Sequence, residues 1–123
     1  MSKKIIVVGG GAAGMLAAYF AAAAGNKVTL LEKNEKLGKK IYITGKGRCN
    51  LTNACDVEEL FLNVKSNSKF LYSAFYGFDN SQVIAFFEKH GMPVKVERGN
   101  RVFPVSDKSS DVIFALQRAL KEK

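Results

Sequence analysis

The sequence predicts an α/β fold that opens with a βαβ unit and continues with a helical segment, a β-hairpin and a C-terminal helix. Residues 3–8 form a β-branched run without polar alternation, which is typical of a strand buried on both faces of a parallel sheet. Glycines end this run, and the Ala-rich residues 12–24 favour helix. A second apolar run at residues 27–32 completes the unit, and a right-handed crossover makes the two strands parallel.

The composition is that of one ordinary globular domain. The chain has 123 residues, of which 47% are apolar and 24% are charged. A chain of this length buries roughly two-thirds of its unfolded surface, so it forms a core without disulfides. Cys49 and Cys55 are too few for a disulfide framework, and their spacing matches neither a zinc knuckle nor a C-x-x-C redox pair. We therefore expect a cytoplasmic protein without a metal site.

The N-terminus has some features of a signal peptide or a membrane span, because Lys3 and Lys4 precede twenty uncharged residues, 5–24. This stretch also contains Gly10-x-x-x-Gly14, the small-residue spacing of transmembrane helix contacts. Four glycines interrupt the helical apolar core that either kind of segment needs, and patterned sequence follows. We expect neither export nor membrane insertion.

The middle of the chain is predicted to be a long ordered loop followed by helices. Residues 43–53 carry two glycines and several polar side chains, and ordered loops of this length are usually functional. Helices are predicted to start at Asp56 and Asp79, each three residues before Glu or Gln, with another helix at residues 68–76. Aromatic residues recur here at roughly helical spacing, which indicates a packed core rather than a base-stacking platform. They are Phe61, Phe70, Tyr72, Phe75, Tyr76, Phe86 and Phe87.

The last part of the chain is predicted to form a hairpin and an amphipathic helix. Residues 94–105 are expected to pair around a two-residue turn, Gly99-Asn100. From Ser106 onward one apolar stripe recurs at helical spacing, with Asp107 and Asp111 early in the helix. No strand follows to cover this stripe or the parallel strands, so the domain is expected to be incomplete. Its parts are residues 1–50, the βαβ unit with the Gly-rich loop, then 51–92, helical, and 93–123, the hairpin and helix.

The pattern Gly9-x-Gly11-x-x-Gly14 lies between the first predicted strand and helix and predicts a Rossmann-like dinucleotide site. Gly9 permits the tight turn, Gly11 lets backbone approach a pyrophosphate, and Gly14 lets the helix pack on the strand. Glu32 ends the second strand, where a carboxylate accepts ribose hydroxyl protons and repels a 2′-phosphate. FAD and NAD present the same ADP half, so this pattern leaves both open.

Charge adds a second function class. The formal net charge is +8, and residues 27–48 hold seven cations and two anions, a local charge of +5. Such a face attracts nucleotide phosphates or RNA, although a solvated basic face is the simpler alternative. A non-catalytic nucleotide- or RNA-binding module with a Rossmann-like fold is therefore the alternative to an enzyme.

The runs VVGGGAAGMLAAYFAAAAGNKVTLLEK, LGKKIYITGKGRCNLTN and VERGNRVFPVSDKSSDV resemble the BaiN/RdsA-type family of NAD(P)/FAD-dependent oxidoreductases, some of them aminoacetone-oxidase-like. The resemblance spans nearly all of this chain but only the N-terminal part of the family's longer chains. It implies that FAD is the cofactor and NAD(P)H the electron donor. It also implies hydride transfer through FAD to an unsaturated or amine-bearing substrate, either a small molecule or RNA. The remainder of a family chain supplies the rest of the flavin site, so this chain alone is expected to be inactive and to bind FAD weakly or not at all.

The resemblance also implies roles for individual residues. Four residues of the first turn would hold the FAD pyrophosphate, and Glu32 would hold the adenosine ribose; the four are Gly9, Gly11, Ala13 and Gly14. Lys39 and Lys40 match basic positions near the cofactor, although a solvated lysine pair is an equal alternative. Three loop residues match the part that approaches the flavin ring, Arg48, Cys49 and Asn50. A loop held only by its own hydrogen bonds is the alternative for them.

The remaining reactive side chains predict no separate catalysis. A redox disulfide between Cys49 and Cys55 is disfavoured, because six helical positions place them about 240° apart. His90, the only histidine, precedes Gly91 at a predicted helix end, where capping is expected. The catalytic residues stay unknown at this stage, because hydride chemistry would belong to the cofactor.

Overall fold

The first fifty residues of the computed structural model, which describes residues 1–123, contain the predicted βαβ unit. Strand β1 (Lys4–Val8) pairs in parallel with β2 (Lys27–Leu31), with Lys4 opposite Lys27 and Val8 opposite Leu31. Helix α1 (Ala12–Ala23) connects them and ends before Gly25, which has a φ of 90°. The predicted α/β class and the parallel pairing are confirmed.

The expectation that these strands are buried on both faces is wrong. Ile6 is 66% exposed and Val8 82% exposed, whereas Ile5 and Val7 are half-buried. The alternation arises because α1 covers one face of a sheet that has only two strands. No helix of the chain is both long enough and apolar enough to cross a membrane.

The segment predicted as a loop over residues 43–53 contains regular structure. Helix α2 (Lys39–Ile43) precedes a 3₁₀ turn at Thr44–Gly47, and β3 (Thr52–Asn53) pairs antiparallel with a later strand. A strand of two residues carries no readable alternation, so the sequence pattern missed it.

The predicted helical segment is present, with one well-capped helix. Its elements are α3 (Val57–Leu62), a 3₁₀ turn at Ser68–Leu71, α4 (Tyr72–Gly77) and α5 (Asn80–Lys89). Asp79 and Gln82 form the predicted capping box, in which the Asp79 carboxylate accepts the Gln82 N–H at 2.9 Å and Gln82 Oε1 accepts the Asp79 N–H at 2.8 Å. Asp56 begins α3 without a side-chain capping bond.

The predicted aromatic core is wrong for most of its members. Phe86 and Phe87 on α5 are 7% and 3% exposed and belong to the main core. The other five rings are half-buried or exposed: Phe61, Phe70, Tyr72, Phe75 and Tyr76. Helices α3 and α4 have only six residues each, and several of their rings pack on one another instead, with Phe61 lying 4.9 Å from Tyr72 between ring centroids.

The predicted hairpin is present, with a longer turn. Strands β4 (Val94–Glu97) and β5 (Arg101–Pro104) are antiparallel, and the sheet order is β3-β5-β4. Because Glu97 pairs with Arg101, the turn has three residues, Arg98–Asn100, rather than the predicted two. Gly99 and Asn100 have φ values of 74° and 59°, the left-handed region that glycine and asparagine tolerate best.

The last helix, α6 (Ser109–Lys121), begins three residues later than predicted. Asp107 therefore lies outside it, with a φ of 61°. The sequence suggested that the apolar stripe of α6 lacks a partner. In the structure this stripe packs on α1 and α2. Its buried residues join Met15 and Tyr19 of α1 in one core; they are Val112, Ile113, Ala115, Leu116 and Ala119.

The division between core and surface rings is testable by truncation. Phe87→Ala should destabilise the chain by about 3–5 kcal/mol, because it removes a buried ring and leaves a cavity. Phe70→Ala, at a ring that is 86% exposed, should change the free energy of unfolding by no more than about 0.5 kcal/mol. Urea denaturation followed by circular dichroism measures both. Equal losses would mean that the helical segment has an aromatic core after all.

Candidate cofactor-binding site

The candidate site lies where the parallel strands end and α1 begins. The Gly9 N–H donates to the Leu31 carbonyl at 2.7 Å, which brings the first turn against the end of β2. A cleft of about 490 Å³ opens here, a size within the range of ligand pockets. It is lined by Val8, Gly9, Leu31, Glu32, Lys33 and Asn34. The strand ends and the Gly-rich turn therefore meet at one cleft, as predicted.

The three motif glycines are needed for different reasons. A Cβ on Gly14 would lie 1.6 Å from the Gly9 carbonyl oxygen, so only glycine lets α1 start this close to β1. Gly9 has a φ of 104°, a backbone conformation that side-chain-bearing residues rarely adopt. A Cβ on Gly11 would meet no atom within 4 Å, and the φ of Gly11 is an ordinary −86°. Neither a clash nor a left-handed φ therefore requires glycine at position 11, where it serves as the N-cap of α1, whereas an approaching ligand would require it.

The first turn of α1 offers free hydrogen-bond donors. The first hydrogen bond of the helix runs from the Met15 N–H to the Gly11 carbonyl at 2.9 Å. The N–H groups of Ala12, Ala13 and Gly14 precede it and have no protein partner. The first turn also lacks an acidic side chain. These donors and the positive end of the helix dipole suit an anion.

Glu32 is held at the edge of the same cleft by two backbone donors. Its Oε1 accepts the Gly10 N–H and its Oε2 accepts the Asn34 N–H, both at 2.8 Å. The bonds from Asn34 and Gly10 lower the pKa of the Glu32 carboxyl, so the group is ionised at neutral pH. Each oxygen keeps a free lone pair, which gives the carboxylate two acceptor sites for a pair of hydroxyl groups.

Two residues that the sequence pattern did not single out orient this acid. Gly10 donates to Glu32, and a Cβ on Gly10 would lie 2.3 Å from Leu37 Cδ2. Asn34 contributes its backbone N–H, which any residue except proline supplies. The run of three glycines, Gly9–Gly11, was the available signal for Gly10, because the motif itself needs only two of them.

The two predicted lysines lie beside the cleft rather than in it. Lys39 and Lys40 open α2 and are exposed, and Lys39 Nζ lies 3.4 Å from the Glu35 carboxylate. The turn before them is tied to the site, because the Gly38 N–H donates to the Gly10 carbonyl at 2.8 Å. Whether either lysine contacts a cofactor stays a prediction.

Arg48, Cys49 and Asn50 turn their side chains toward the rest of the chain. Arg48 is bound by Glu97 and Asp107, and Asn50 Nδ2 donates to the Val102 carbonyl at 3.1 Å. Cys49 is 7% exposed, and burial raises the pKa of its thiol. The side chains of Arg48 and Asn50 are therefore held by partners in the hairpin and in the turn before α6. The contact of this loop with a flavin ring stays a prediction.

The other residues considered from the sequence lie outside the cleft. His90 ends α5, where its Nδ1 lies 2.7 Å from the Phe86 carbonyl and its Nε2 lies 3.1 Å from Glu122, as expected of a capping residue. Cys49 and Cys55 are both free thiols. No three side chains among the His, Cys, Asp and Glu residues are grouped to hold a metal ion.

Two comparisons with known proteins show the family of this chain. The family model described as the HI0933-like protein Rossmann domain matches residues 3–123. This chain belongs to the HI0933-like family. A 3-dehydro-bile acid delta(4,6)-reductase of Clostridium scindens is 34% identical over 97 residues, which make up 79% of this chain and 23% of that protein. The HI0933-like chain thus spans about a quarter of the length of this curated relative, and the family assignment confirms the predicted resemblance and Rossmann fold.

A pair of alanine substitutions separates the structural glycine from the ligand-facing one. Gly11→Ala should leave the free energy of unfolding within about 0.5 kcal/mol, because its Cβ enters open space. It should weaken ADP binding about tenfold or more by occupying the phosphate cradle. Gly14→Ala should instead destabilise the fold, because its Cβ overlaps the Gly9 carbonyl. Thermal melting and ADP titration measure the two effects, and loss of stability in Gly11→Ala would contradict this division.

The lowered pKa of Glu32 predicts a specific pH dependence. The carboxylate stabilises the folded chain above its ordinary pKa of about 4.3, and this contribution is lost as the pH falls through the lowered folded value. The difference in unfolding free energy between the unsubstituted chain and Glu32→Gln should therefore shrink between pH 7 and pH 3. Denaturant titrations across this range measure it. A constant difference would show that the two backbone bonds do not depend on the charge.

Proposed function

We propose that this chain is the FAD-binding portion of a flavin-dependent oxidoreductase. The observation that carries the proposal is that two binding elements meet at Gly10, beside the cleft at the ends of the parallel strands. One is the open turn at Gly11 with the free N–H groups of α1, and the other is the ionised Glu32 held by Gly10 and Asn34. A diphosphate suits the first element and a ribose diol suits the second, and an ADP group joins the two.

The residues of the site would act as follows. The N–H groups of Ala12, Ala13 and Gly14 bind the pyrophosphate oxygens, with the helix dipole adding to the attraction. The Glu32 carboxylate accepts protons from the two ribose hydroxyl groups. The same charge repels a 2′-phosphate, so NADP is disfavoured at this cleft.

The family and its relative favour FAD over NAD as the resident cofactor. The chain matches the Rossmann domain of its family from residue 3 to residue 123, and the relative is named as a reductase. When bound, FAD supplies the hydride-transfer chemistry, which no side chain of the cleft provides. The electron donor is proposed to be NAD(P)H, and the substrate an unsaturated or amine-bearing compound. The delta(4,6)-reductase activity in the relative's name supports the first of these substrate classes.

A second candidate function rests on the exposed lysines between β2 and the 3₁₀ turn. Five of them lie on this face, namely Lys33, Lys36, Lys39, Lys40 and Lys46, and only Lys39 has an acidic partner. A module that binds RNA or nucleotides through this face would lose affinity steeply with salt, because it releases condensed counterions. This candidate explains the charge but not the oriented carboxylate of Glu32.

Titration of the chain with FAD and ADP, with and without salt, tests the proposed function. Glu32→Gln should weaken the binding of both ligands by about ten- to a hundredfold, because it removes a charged acceptor from the ribose diol. Glu35→Gln is the matched control, since Glu35 is an exposed acid of the same turn whose only partner is Lys39. Backbone amide shifts of Ala12 and Ala13 in NMR spectra report occupation of the turn even when binding is weak.

The outcomes separate the two functions. Binding that both Glu32→Gln and Glu35→Gln leave unchanged or strengthen, and that falls steeply with salt, would favour the phosphate-binding module. Binding of ADP that is lost in Glu32→Gln and retained in Glu35→Gln supports the dinucleotide site. FMN lacks the adenosine half, so it should bind poorly in either variant and in the unsubstituted chain.

A further inference from the structure

The loop that follows α2 has an unfavourable backbone. Within residues 44–50, four positions have left-handed φ values: Gly45 at 56°, Lys46 at 56°, Gly47 at 86° and Cys49 at 58°. Lys46 and Cys49 carry a Cβ, which makes this conformation costly. Such a backbone persists only where surrounding contacts hold it.

Arg48 supplies the strongest of those contacts. Its Nε donates to Asp107 Oδ1 at 2.8 Å, and its Nη2 donates to Glu97 and lies 2.7 Å from Asp107. The guanidinium also stacks on Phe103 of β5, 3.9 Å from the ring centroid. One side chain therefore joins the loop to β4, to β5 and to the turn before α6.

Lys95 completes a neutral group of four charges. Its Nζ lies 2.7 Å from Asp107 Oδ2 and 3.2 Å from Glu97 Oε2. Two cations thus share two carboxylates, and these contacts raise the pKa of Arg48 and Lys95 and lower those of Glu97 and Asp107. Networks that use a forked guanidinium fix geometry better than isolated surface pairs.

The loop also lies close to the cofactor cleft. Gly38, whose N–H binds the Gly10 carbonyl, directly precedes α2. Helix α2 has five residues and spans about 7.5 Å, so the loop begins one short helix from the glycine turn. In this loop Cys49 is buried and Arg48 half-buried, whereas residues 44–47 and Asn50 are exposed.

We propose that Lys95, Glu97 and Asp107 are positioning residues, which fix Arg48 and through it hold residues 44–50 in the conformation that faces the bound flavin. Arg48 in this arrangement is not a cation available to the cofactor, because both of its partners are carboxylates of the chain. The flavin-facing part of the proposal rests on the proposed function, whereas the holding of the loop does not.

The thiol of Cys49 reports directly on the loop. Cys49 is 7% exposed, so its reaction with Ellman's reagent requires the loop to open. In a Cys55→Ser background, Asp107→Asn should speed this labelling about tenfold, because Arg48 loses a charged partner and Lys95 loses the oxygen that accepts its hydrogen bond. Glu97→Gln, which leaves the Asp107 contacts in place, should give a smaller increase and serves as a second variant if Asp107→Asn does not fold.

Asp111→Asn is the matched control, because it removes an acid four residues along the chain that pairs with none of the four groups. Labelling in this control should equal that of the Cys55→Ser chain, and circular dichroism should be native-like in all variants. Labelling in both Asp107→Asn and Glu97→Gln at the control rate would overturn the proposal.

Added FAD tests whether the network positions the loop for the cofactor. Asp107→Asn should keep FAD affinity within about threefold, because the glycine turn and Glu32 are untouched, but should shift the absorption spectrum of the bound flavin. Faster labelling with an unchanged flavin spectrum would refute the positioning role and leave a merely structural network. An unsubstituted chain that does not bind ADP would contradict the proposed function instead, and labelling would still decide whether the network holds the loop.

Discussion

The close approach of α1 to the end of β1 is the constraint on which the rest of the site depends. Only a hydrogen at Gly14 fits beside the Gly9 carbonyl, where a Cβ would lie 1.6 Å away. This approach directs the free N–H groups of the first helical turn toward the strand ends. It also leaves Gly10 in the turn with its N–H and carbonyl free for partners outside the helix. A wider turn would separate these N–H donors from Glu32, which directly follows β2.

Gly10 links the glycine turn to two neighbouring segments through its backbone hydrogen bonds. Its N–H holds Glu32, and its carbonyl accepts the Gly38 N–H before α2. A side chain at Gly10 would displace Leu37, and one at Gly38 would meet Ile113 of α6 at 2.9 Å. Backbone packing at two glycines therefore fixes the ribose acid and the start of the next helix together. The 44–50 loop follows from there, and the hairpin holds its far end.

Features set by neighbouring residues were predictable from the sequence, and features set by distant partners were not. The glycine spacing, the Asp79 capping box and the α/β class depend on residues a few positions apart. The partners of Arg48 lie 49 and 59 residues away, so no local pattern predicts that its charge is neutralised. Helical spacing predicted that the rings of α3 and α4 share a helix face. It does not predict whether another element of the fold covers that face. For the same reason, the apolar run of β1 did not predict that one face of the sheet is uncovered and that Val8 is exposed.

Charges are paired around the hairpin and largely unpaired in the segment that follows β2. Around the hairpin, Arg48 and Lys95 are matched by Glu97 and Asp107, so this region contributes little net field. Of the exposed lysines at positions 33, 36, 39, 40 and 46, only Lys39 has an acidic partner, which leaves this segment after β2 with unpaired positive charge. Such a field raises encounter rates but does not distinguish one phosphate ligand from another. In the proposed function, discrimination would fall to Glu32, because a carboxylate repels a 2′-phosphate and accepts the protons of a diol.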